Sequence, residues 1–486
     1  MKIIAINYFT FTLLILPIIA FALLYFWKLA KSNKDILFGE LYLFLMTLSF
    51  CTYILFHYRI HHSYKDINEV LIFDSILIFY LFLIPFYLIY FVLQKKNLDL
   101  SKINLNFIYK LSNFLKNQSG GNSANKNRIR IIFFITIGLA MSLLNRSDFF
   151  NCDNLLLNNL FQDLPVIKKN LNKIHTISFF GIFALMLGLI LFYNEISLAK
   201  KTKFKILYFI LILPIFFLLI LSHTGGSGLI IMYFLVVLLI FTKNNKNIFQ
   251  FHIIFLIISI FVLMTAKKEI RASMPSDNEC VVGFRITAGS TAKGIYNKFN
   301  DSNMTYNNVL GENIKIKQDE VSYLRFKVAN FFERIDFIQM LAQTKMLIDN
   351  NILEYKKGET YLNREINWKK EFGVDIKQTS KDVPSAFNLP AIVESYYNFG
   401  AYGILIFSII AAIMCLIIFK IINYYKNNFY LQSVLIISFS HFLIHENDFI
   451  FSVKNVIYCF ALLISLTIIL EFLIKLNSKI KHITSK

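Results

Sequence analysis

Long apolar runs alternate with short polar loops along the chain, and this pattern limits what the chain can fold into. A helix of about 18 or more apolar residues, at 1.5 Å rise per residue, crosses a hydrocarbon core about 30 Å thick. The hydrophobic share of 56% is enough for many such helices. We therefore predict an all-α polytopic membrane protein with about 11 transmembrane helices, in a range of about 10 to 12. The predicted spans are 5–27, 36–57, 70–93, 131–145, 174–194, 206–221, 228–241, 248–266, 390–419, 431–445 and 455–474.

Lysines in alternate loops predict how these spans are oriented. Basic residues recur after every second span, at Lys28–Lys34, Lys95–Arg130, Lys200–Lys205, Lys243–Lys246, Lys420–Lys426 and Lys475–Lys486. Short cytoplasmic loops carry an excess of Lys and Arg, so we predict the N-terminus outside and the C-terminus in the cytoplasm. The same loops account for the formal net charge of +20, and no nucleic-acid partner is expected.

One long polar segment, residues 267–389, interrupts the spans and falls on the outer, periplasmic side in this topology. This external segment divides the chain into three parts. Eight spans precede it in 1–266, and three spans with a basic cytoplasmic tail follow it in 390–486. Apolar residues within 319–349 recur at steps of three and four, which predicts an amphipathic helix. That helix either lies on the membrane plane or packs on the spans as a lid.

Arginine is rare in this chain, yet it is concentrated in the external segment. Of nine arginines, against forty-one lysines, five lie there: Arg271, Arg285, Arg325, Arg334 and Arg364. Where lysine is the default base, an arginine indicates a need for a planar donor fork that binds phosphate or carboxylate through two bonds. Salt bridges with the sixteen acidic residues of the segment are the alternative.

Other candidate residues lie at the predicted outer ends of the spans. Arg146, His223, His441 and His445 either contact a substrate or cap helices at the interface. Glu394 lies one turn into the ninth span, near the positive end of a helix dipole. It is a candidate general base, or it bonds to an arginine and only holds the external segment in place. The five cysteines show no CxxC spacing, so no metal site is predicted.

Four short stretches in and after the external segment carry a recognisable pattern. They are an Arg-x-Asp helix at 334–336, a Gly-x-x-Tyr turn at 358–361, a tryptophan run at 363–370, and Glu-x-Tyr-x-Asn-Phe-Gly-x-x-Gly at 394–403. Together they resemble the motifs of Wzy-like oligosaccharide repeat-unit polymerases, in the O-antigen polymerase and ligase superfamily. The matching positions are Arg334, Asp336, Tyr361, Arg364, Trp368, Lys370, Glu394, Asn398, Phe399, Gly400 and Gly403. Asn363 and Lys369 stand where the family has prolines that flank the tryptophan run.

The resemblance implies a membrane glycosyltransferase on the outer face of the bacterial cytoplasmic membrane. Such an enzyme moves a growing glycan from undecaprenyl diphosphate onto the non-reducing sugar of the next lipid-linked unit, with inversion and without a metal or other cofactor. Its partners would be the lipid-linked oligosaccharide, membrane lipid and a chain-length regulator.

The candidate residues take their roles from this reaction. Preorganised cations would stabilise the departing diphosphate, and a base would accept the proton of the acceptor hydroxyl. We assign catalysis to Glu394, Arg334 and Arg364. We assign substrate binding to Arg271, Arg285, Asp336, Tyr361, Trp368, Lys370, Asn398, Arg146, His223, His441 and His445.

Two other functions compete with a polymerase. O-antigen ligases share the architecture but carry an essential histidine in the large external loop, and none of the nine histidines falls within 267–389. A non-enzymatic flippase or transporter of lipid-linked glycan would place its arginines along a transmembrane cavity. The spans look nearly free of ionisable residues, which counts against transport.

The topology gives a direct prediction. Single cysteines at Ser119 and Asn300, in a background without reactive native thiols, should react differently with an impermeant maleimide. Asn300→Cys should label in intact spheroplasts, and Ser119→Cys only after lysis, because the lysine pattern places them on opposite sides. The reverse labelling would contradict the orientation and, with it, the external position of 267–389.

Overall fold

The computed structural model describes residues 20, 23–25, 27–28, 35–48, 69–95, 123–144, 171–198, 305–307, 313–315, 337–351, 353–362, 390–425, 428–443 and 449–484. The helices are α1 (Phe38–Leu48), α2 (Glu69–Lys95), α3 (Ser123–Leu144), α4 (Leu171–Leu198), α5 (Ile338–Asp349), α6 (Glu359–Leu362), α7 (Ala391–Tyr424), α8 (Phe429–Phe439) and α9 (Phe449–Thr484). A 3-10 turn, Ser440–Leu443, follows α8. Two short antiparallel strands, β1 (Thr305–Asn307) and β2 (Asn313–Lys315), lie in the external segment, with Tyr306 opposite Ile314.

Within the described residues, three helices are long and apolar enough to cross a membrane: Asp74–Lys95, Ala391–Tyr424 and Ser452–Leu476. They coincide with the predicted third, ninth and eleventh spans. Shorter apolar helices, Phe38–Thr47, Gly181–Phe192 and Phe429–Leu443, overlap the predicted second, fifth and tenth spans. The prediction of a helical membrane protein is confirmed, with the small hairpin as an exception outside the spans. The count of eleven stays a prediction, since the spans predicted at 206–221, 228–241 and 248–266 lie outside the described residues.

The two sides of α2 explain why this helix suits a bilayer. Four aromatic side chains at steps of three and four are almost fully buried: Phe79, Phe82, Phe86 and Tyr90. Five aliphatic side chains on other positions are about half exposed: Leu77, Leu81, Ile84, Leu88 and Val92. In water such an exposed apolar stripe would favour aggregation. On a helix long enough to cross a membrane, such a stripe suits contact with acyl chains.

The described residues belong to two compact units. The first takes Met1–Leu100, Ile286–Ile421 and Phe442–Ser452, and the second takes Ser101–Arg285, Ile422–His441 and Val453–Lys486. In the first unit, stacked rings join the helices. Tyr42 of α1 stacks on Phe86 of α2 at 5.4 Å, and Phe407 of α7 stacks on Phe82 at 5.6 Å between ring centres.

A buried charge cluster lies at one end of the first unit. The Glu40 carboxylate accepts hydrogen bonds from Lys28 Nζ at 2.8 Å and from Tyr90 Oη at 3.0 Å, with Gln94 Nε2 at 3.4 Å. The Lys28 ammonium also lies 3.8 Å from the centre of the Phe91 ring. These residues come from the ends of three predicted spans that the lysine pattern places on the cytoplasmic side. The cluster therefore agrees with the predicted alternation of the spans.

The opposite end of α2 contacts the external segment. Helix α5 packs on α2 through a buried face that includes Ile338, Leu341 and Leu347, and the Phe337 ring meets Phe79 edge-on at 5.1 Å. This part of the predicted amphipathic helix therefore packs on a predicted span. Residues 319–336 lie outside the described part of the chain.

An ion pair fixes α5 to the start of α2. Lys345 Nζ lies 3.5 Å from Asp74 Oδ2 and also pairs with Asp349 one turn further along α5. Burial lowers the pKa of Lys345, but hydrogen bonds to Asp349 and attraction by Asp349 and Asp74 outweigh it, so the pKa is raised overall. Asp74 and Gln94 are separated by about 30 Å along the helix, the thickness of a hydrocarbon core.

The second unit depends on close backbone contact between α3 and α4. A Cβ at Gly138 would lie 2.4 Å from the Leu185 nitrogen, and a Cβ at Gly188 would lie 2.8 Å from the Ile135 nitrogen. Small residues that let helix backbones approach are a common means of association in membranes, where burial of apolar surface gives little driving force.

A second buried carboxylate joins α3 to α9 in this unit. Arg130 donates two hydrogen bonds to Glu471 Oε1, one of them at 3.1 Å from Nε, and its guanidinium lies 5.1 Å from the Tyr430 ring of α8. Glu40 and Glu471 both lie inside predicted spans with no exposed side-chain surface. The expectation that the spans are nearly free of ionisable residues is therefore wrong, although both carboxylates are paired.

The Glu40 cluster predicts a measurable loss of stability. Glu40→Gln leaves the Lys28 ammonium without its counter-ion in a largely buried position, which should cost about 3 kcal/mol. The purified protein should show a lower midpoint of thermal unfolding in detergent. Glu354→Gln removes an exposed carboxylate and should change the stability by less than about 0.5 kcal/mol. Equal midpoints for the two variants would contradict the role given to the cluster.

Candidate functional site

The external segment joins the start of α7 through a turn that ends in α6. Backbone amides of Lys356 and Lys357 donate to the carbonyls of Tyr397 and Asn398, at 3.1 and 3.0 Å. These carbonyls are open to the turn because the regular helix is interrupted at Gly400. The contact is therefore made by backbone groups that a helix break makes available.

Gly400 has φ +61° and ψ −143°, inside the continuous run of α7. This conformation is almost restricted to glycine, since a Cβ would clash with the neighbouring backbone. The break brings two parts of the helix together, so that a Cβ at Gly403 would lie 2.0 Å from the Ser395 carbonyl oxygen. The structure therefore explains both glycines of the Phe-Gly-x-x-Gly part of the motif. Gly400 adopts the backbone conformation of the break, and Gly403 leaves room for the Ser395 carbonyl.

Asn398 is fully buried and connects the turn to α7. Its Oδ1 accepts the Gly358 amide at 2.9 Å, which fixes the orientation of the side-chain amide. Its Nδ2 then donates to Thr360 Oγ1 at 2.6 Å and to the Glu394 carbonyl at 2.9 Å. Gly358 has φ +96°, so this position of the turn also favours glycine.

Glu394 is 2% exposed and lies at the centre of the network. Thr360 Oγ1 donates to Glu394 Oε1 at 2.9 Å, and the Phe449 amide donates to Oε2 at 3.4 Å. Phe449 is the first residue of α9, so the carboxylate lies near the N-termini of two helices, α7 and α9, where negative charge is favoured. One carboxylate thus links α6, α7 and α9.

Tyr361 reaches the same end of α7. Its hydroxyl and Ser395 Oγ are 3.1 Å apart, and Ser395 in turn donates to the Ala391 carbonyl at 2.7 Å. Since Ser395 already donates to the backbone, the Tyr361 hydroxyl is the donor of the pair. Tyr361 is half-buried, whereas Leu362 next to it is 90% exposed.

The structure brings together three of the predicted site residues, Glu394, Tyr361 and Asn398, in the first unit. His441 belongs to the second unit, where it is buried and its ring meets Phe183 edge-on at 4.9 Å. The other candidates lie outside the described residues: Arg334, Arg364, Arg271, Arg285, Asp336, Trp368, Lys370, Arg146, His223 and His445. In sequence, Arg364 follows Leu362 by two positions, and His445 precedes Phe449 by four.

Thr360 and Phe449 are members of the network that sequence reasoning did not single out. Thr360 is an unspecified position of the Gly-x-x-Tyr turn, and Phe449 contributes only its backbone amide. A signal for Thr360 was present in part, because it is the one hydroxyl between two motif positions, Gly358 and Tyr361. No residue type could have predicted a backbone donor.

No protein-family model matches this chain, and no significantly similar chain is found among curated proteins or solved structures.

The helix break gives a prediction for Gly403. Gly403→Ala would place a methyl group against the Ser395 carbonyl, so the two parts of α7 must separate at a cost of about 2 kcal/mol or more. We expect a lower midpoint of thermal unfolding in detergent and less protein in the membrane. Ala401→Ser adds one atom at an exposed position of the same helix and should have little effect. An unchanged midpoint in Gly403→Ala would argue against the close contact.

Proposed function

We propose that the protein is a Wzy-like oligosaccharide repeat-unit polymerase of the bacterial cytoplasmic membrane, with its site on the periplasmic side. The donor is a glycan on a lipid diphosphate, and the acceptor is the next lipid-linked repeat unit. The acceptor hydroxyl oxygen attacks the anomeric carbon, its proton passes to a base, and the bond to the diphosphate breaks. The lipid diphosphate leaves with the electron pair, so one displacement inverts the anomeric carbon.

The convergence of the motif stretches is the observation that supports this proposal. The Gly358–Tyr361 turn and the Glu394–Gly403 stretch carry much of the resemblance, and they lie more than thirty positions apart in sequence. Hydrogen bonds from Thr360, Gly358 and Asn398 join them around a buried carboxylate. A chance likeness of short motifs gives no reason for the two stretches to meet, whereas a shared site does.

Sequence neighbours of this network supply the groups that such a reaction needs. The leaving diphosphate requires cations, and Arg364 follows α6 closely, while Arg334, Arg271 and Arg285 lie in the same external segment. Trp368 and Tyr361 are aromatic residues among those assigned to substrate binding, and the Trp368 ring is a candidate contact for a sugar. No step needs a nucleotide, because the donor carries its own leaving group.

A ligase is the second candidate, and the distribution of histidines argues against it. The external segment contains no histidine, which a ligase of this superfamily would use there. A flippase is less well supported, since Glu40 and Glu471, two of the carboxylates buried in the predicted spans, are paired within their own units.

Deletion of the gene is the test of this function. A polymerase mutant should still make and export single repeat units, so the surface glycan should change from a ladder of chain lengths to one unit on a gel. Purified full-length protein should elongate synthetic lipid-diphosphate repeat units without added metal or nucleotide.

Arg334→Lys should lose most of this elongation activity at a normal amount of protein, because lysine cannot form two parallel bonds to a phosphate.

Other outcomes would identify the rivals. Long chains that accumulate on the lipid carrier would indicate a ligase, and single units trapped in the cytoplasm would indicate a flippase. An unchanged ladder in a strain without a second polymerase would rule out the proposed function.

A further inference from the structure

We propose that Glu394 acts as a positioning anion and not as the general base, and that it holds the external turn through the hydroxyl of Thr360. The catalytic part of this inference rests on the proposed polymerase function. Its structural part concerns the anchoring of the turn and stands without that function.

The direction of each hydrogen bond follows from donors that cannot reverse. The Gly358 amide can only donate, so Asn398 Oδ1 is the acceptor and Nδ2 is the donor. Nδ2 donates to Thr360 Oγ1, so the hydroxyl proton of Thr360 is directed to Glu394 Oε1. The donors therefore run from the amides of Gly358 and Asn398 through Thr360 to Glu394 Oε1, and an ionised carboxylate accepts such bonds more strongly than a neutral acceptor does.

Each oxygen of this carboxylate accepts a hydrogen bond from a protein donor. Oε1 accepts from Thr360, and the amide of Phe449 donates to Oε2. A general base must reach the proton of a substrate hydroxyl at hydrogen-bond distance. Glu394 is 2% exposed and accepts a protein hydrogen bond on each oxygen. Its side chain is therefore held in one position, away from solvent, where a substrate hydroxyl would not reach it.

Three elements depend on this anion for their relative positions. Thr360 belongs to α6, Asn398 and Glu394 belong to α7, and Phe449 begins α9. The sequence continues from α6 to Arg364, and α9 begins four positions after His445. Glu394 therefore fixes the points from which two stretches with candidate cationic and basic groups extend.

Glu394→Gln does not distinguish the two roles, because loss of charge would remove either a base or an anchor. Thr360 does distinguish them. Thr360→Val keeps the shape and removes the hydroxyl, Thr360→Ser keeps the hydroxyl, and both leave Glu394 in place. Thr344→Val is the matched control, since Thr344 is also buried and its hydroxyl bonds only to its own helix, at the Met340 carbonyl.

The first readout does not need activity. Trypsin cleaves after lysine, and Lys356 and Lys357 lie in the anchored turn with their amides bonded to α7. Limited proteolysis of the full-length protein in nanodiscs, with fragments identified by mass spectrometry, should show cleavage at these lysines roughly tenfold faster in Thr360→Val. Thr360→Ser and Thr344→Val should cleave at the wild-type rate. Equal rates in all four proteins would overturn the anchor.

The second readout is the pH profile of elongation of synthetic lipid-diphosphate repeat units. If Glu394 is an anchor, Thr360→Val should lower kcat by roughly tenfold to a hundredfold at every pH, and Thr360→Ser should restore it. If Glu394 is the base, the bond from Thr360 acts directly on the group that accepts the proton of the acceptor hydroxyl. The acid limb of the profile would then move to higher pH with normal activity above it, and that result would overturn the proposal.

The two readouts separate this inference from the proposed function. Wild-type protein that elongates nothing, together with faster cleavage of Thr360→Val, would reject the polymerase and retain the anchor. Should Thr360→Val fail to reach the membrane, Thr360→Ala removes the same hydroxyl with a smaller side chain. Its cleavage rate and pH profile would then be compared with those of the wild-type protein in the same way.

Discussion

A carboxylate inside a membrane protein must find its donors on the chain itself, because the surroundings offer none. The described residues contain three such carboxylates, and each one joins separate helices. Glu40 accepts from Lys28 and Tyr90, Glu471 from Arg130, and Glu394 from Thr360 and the Phe449 amide. Apolar helices can slide and rotate against each other at little cost in lipid, whereas a buried charge defines one arrangement of its partners.

The break at Gly400 explains how a transmembrane helix can also bind the external turn through its backbone. A regular helix uses its own carbonyls and has none to offer another segment. At the break, the carbonyls of Tyr397 and Asn398 accept the amides of the external turn, and Gly403 allows the two parts of α7 to meet. Irregular backbone at the edge of a membrane is tolerated where protein covers it, and here the turn before α6 does so.

The candidate site could be predicted in part from sequence. The motif predicts Glu394, Asn398 and Tyr361. The structure connects Glu394 and Asn398 through the Thr360 hydroxyl, and Tyr361 bonds to Ser395 in the same part of α7. The motif did not reveal what their side chains do, because hydrogen-bond partners such as Thr360 and a backbone amide are set by the approach of distant segments. The contact of α5 with α2, made by Phe337 on Phe79 and by Lys345 on Asp74, likewise depends on segments that are distant in sequence.

Length and hydropathy alone determined that this is a helical membrane protein, since an apolar helix must match the thickness of the hydrocarbon core. The length and hydropathy of a helix depend only on its own sequence, so they are the same however the helices pack. The tertiary structure alone decided that Glu40 and Glu471 are buried and paired, that Gly138 and Gly188 bring α3 and α4 into backbone contact, and that Thr360 lies on Glu394. Each of these depends on which helix faces which, and hydropathy carries no information about that choice because lipid and helix surfaces are equally apolar.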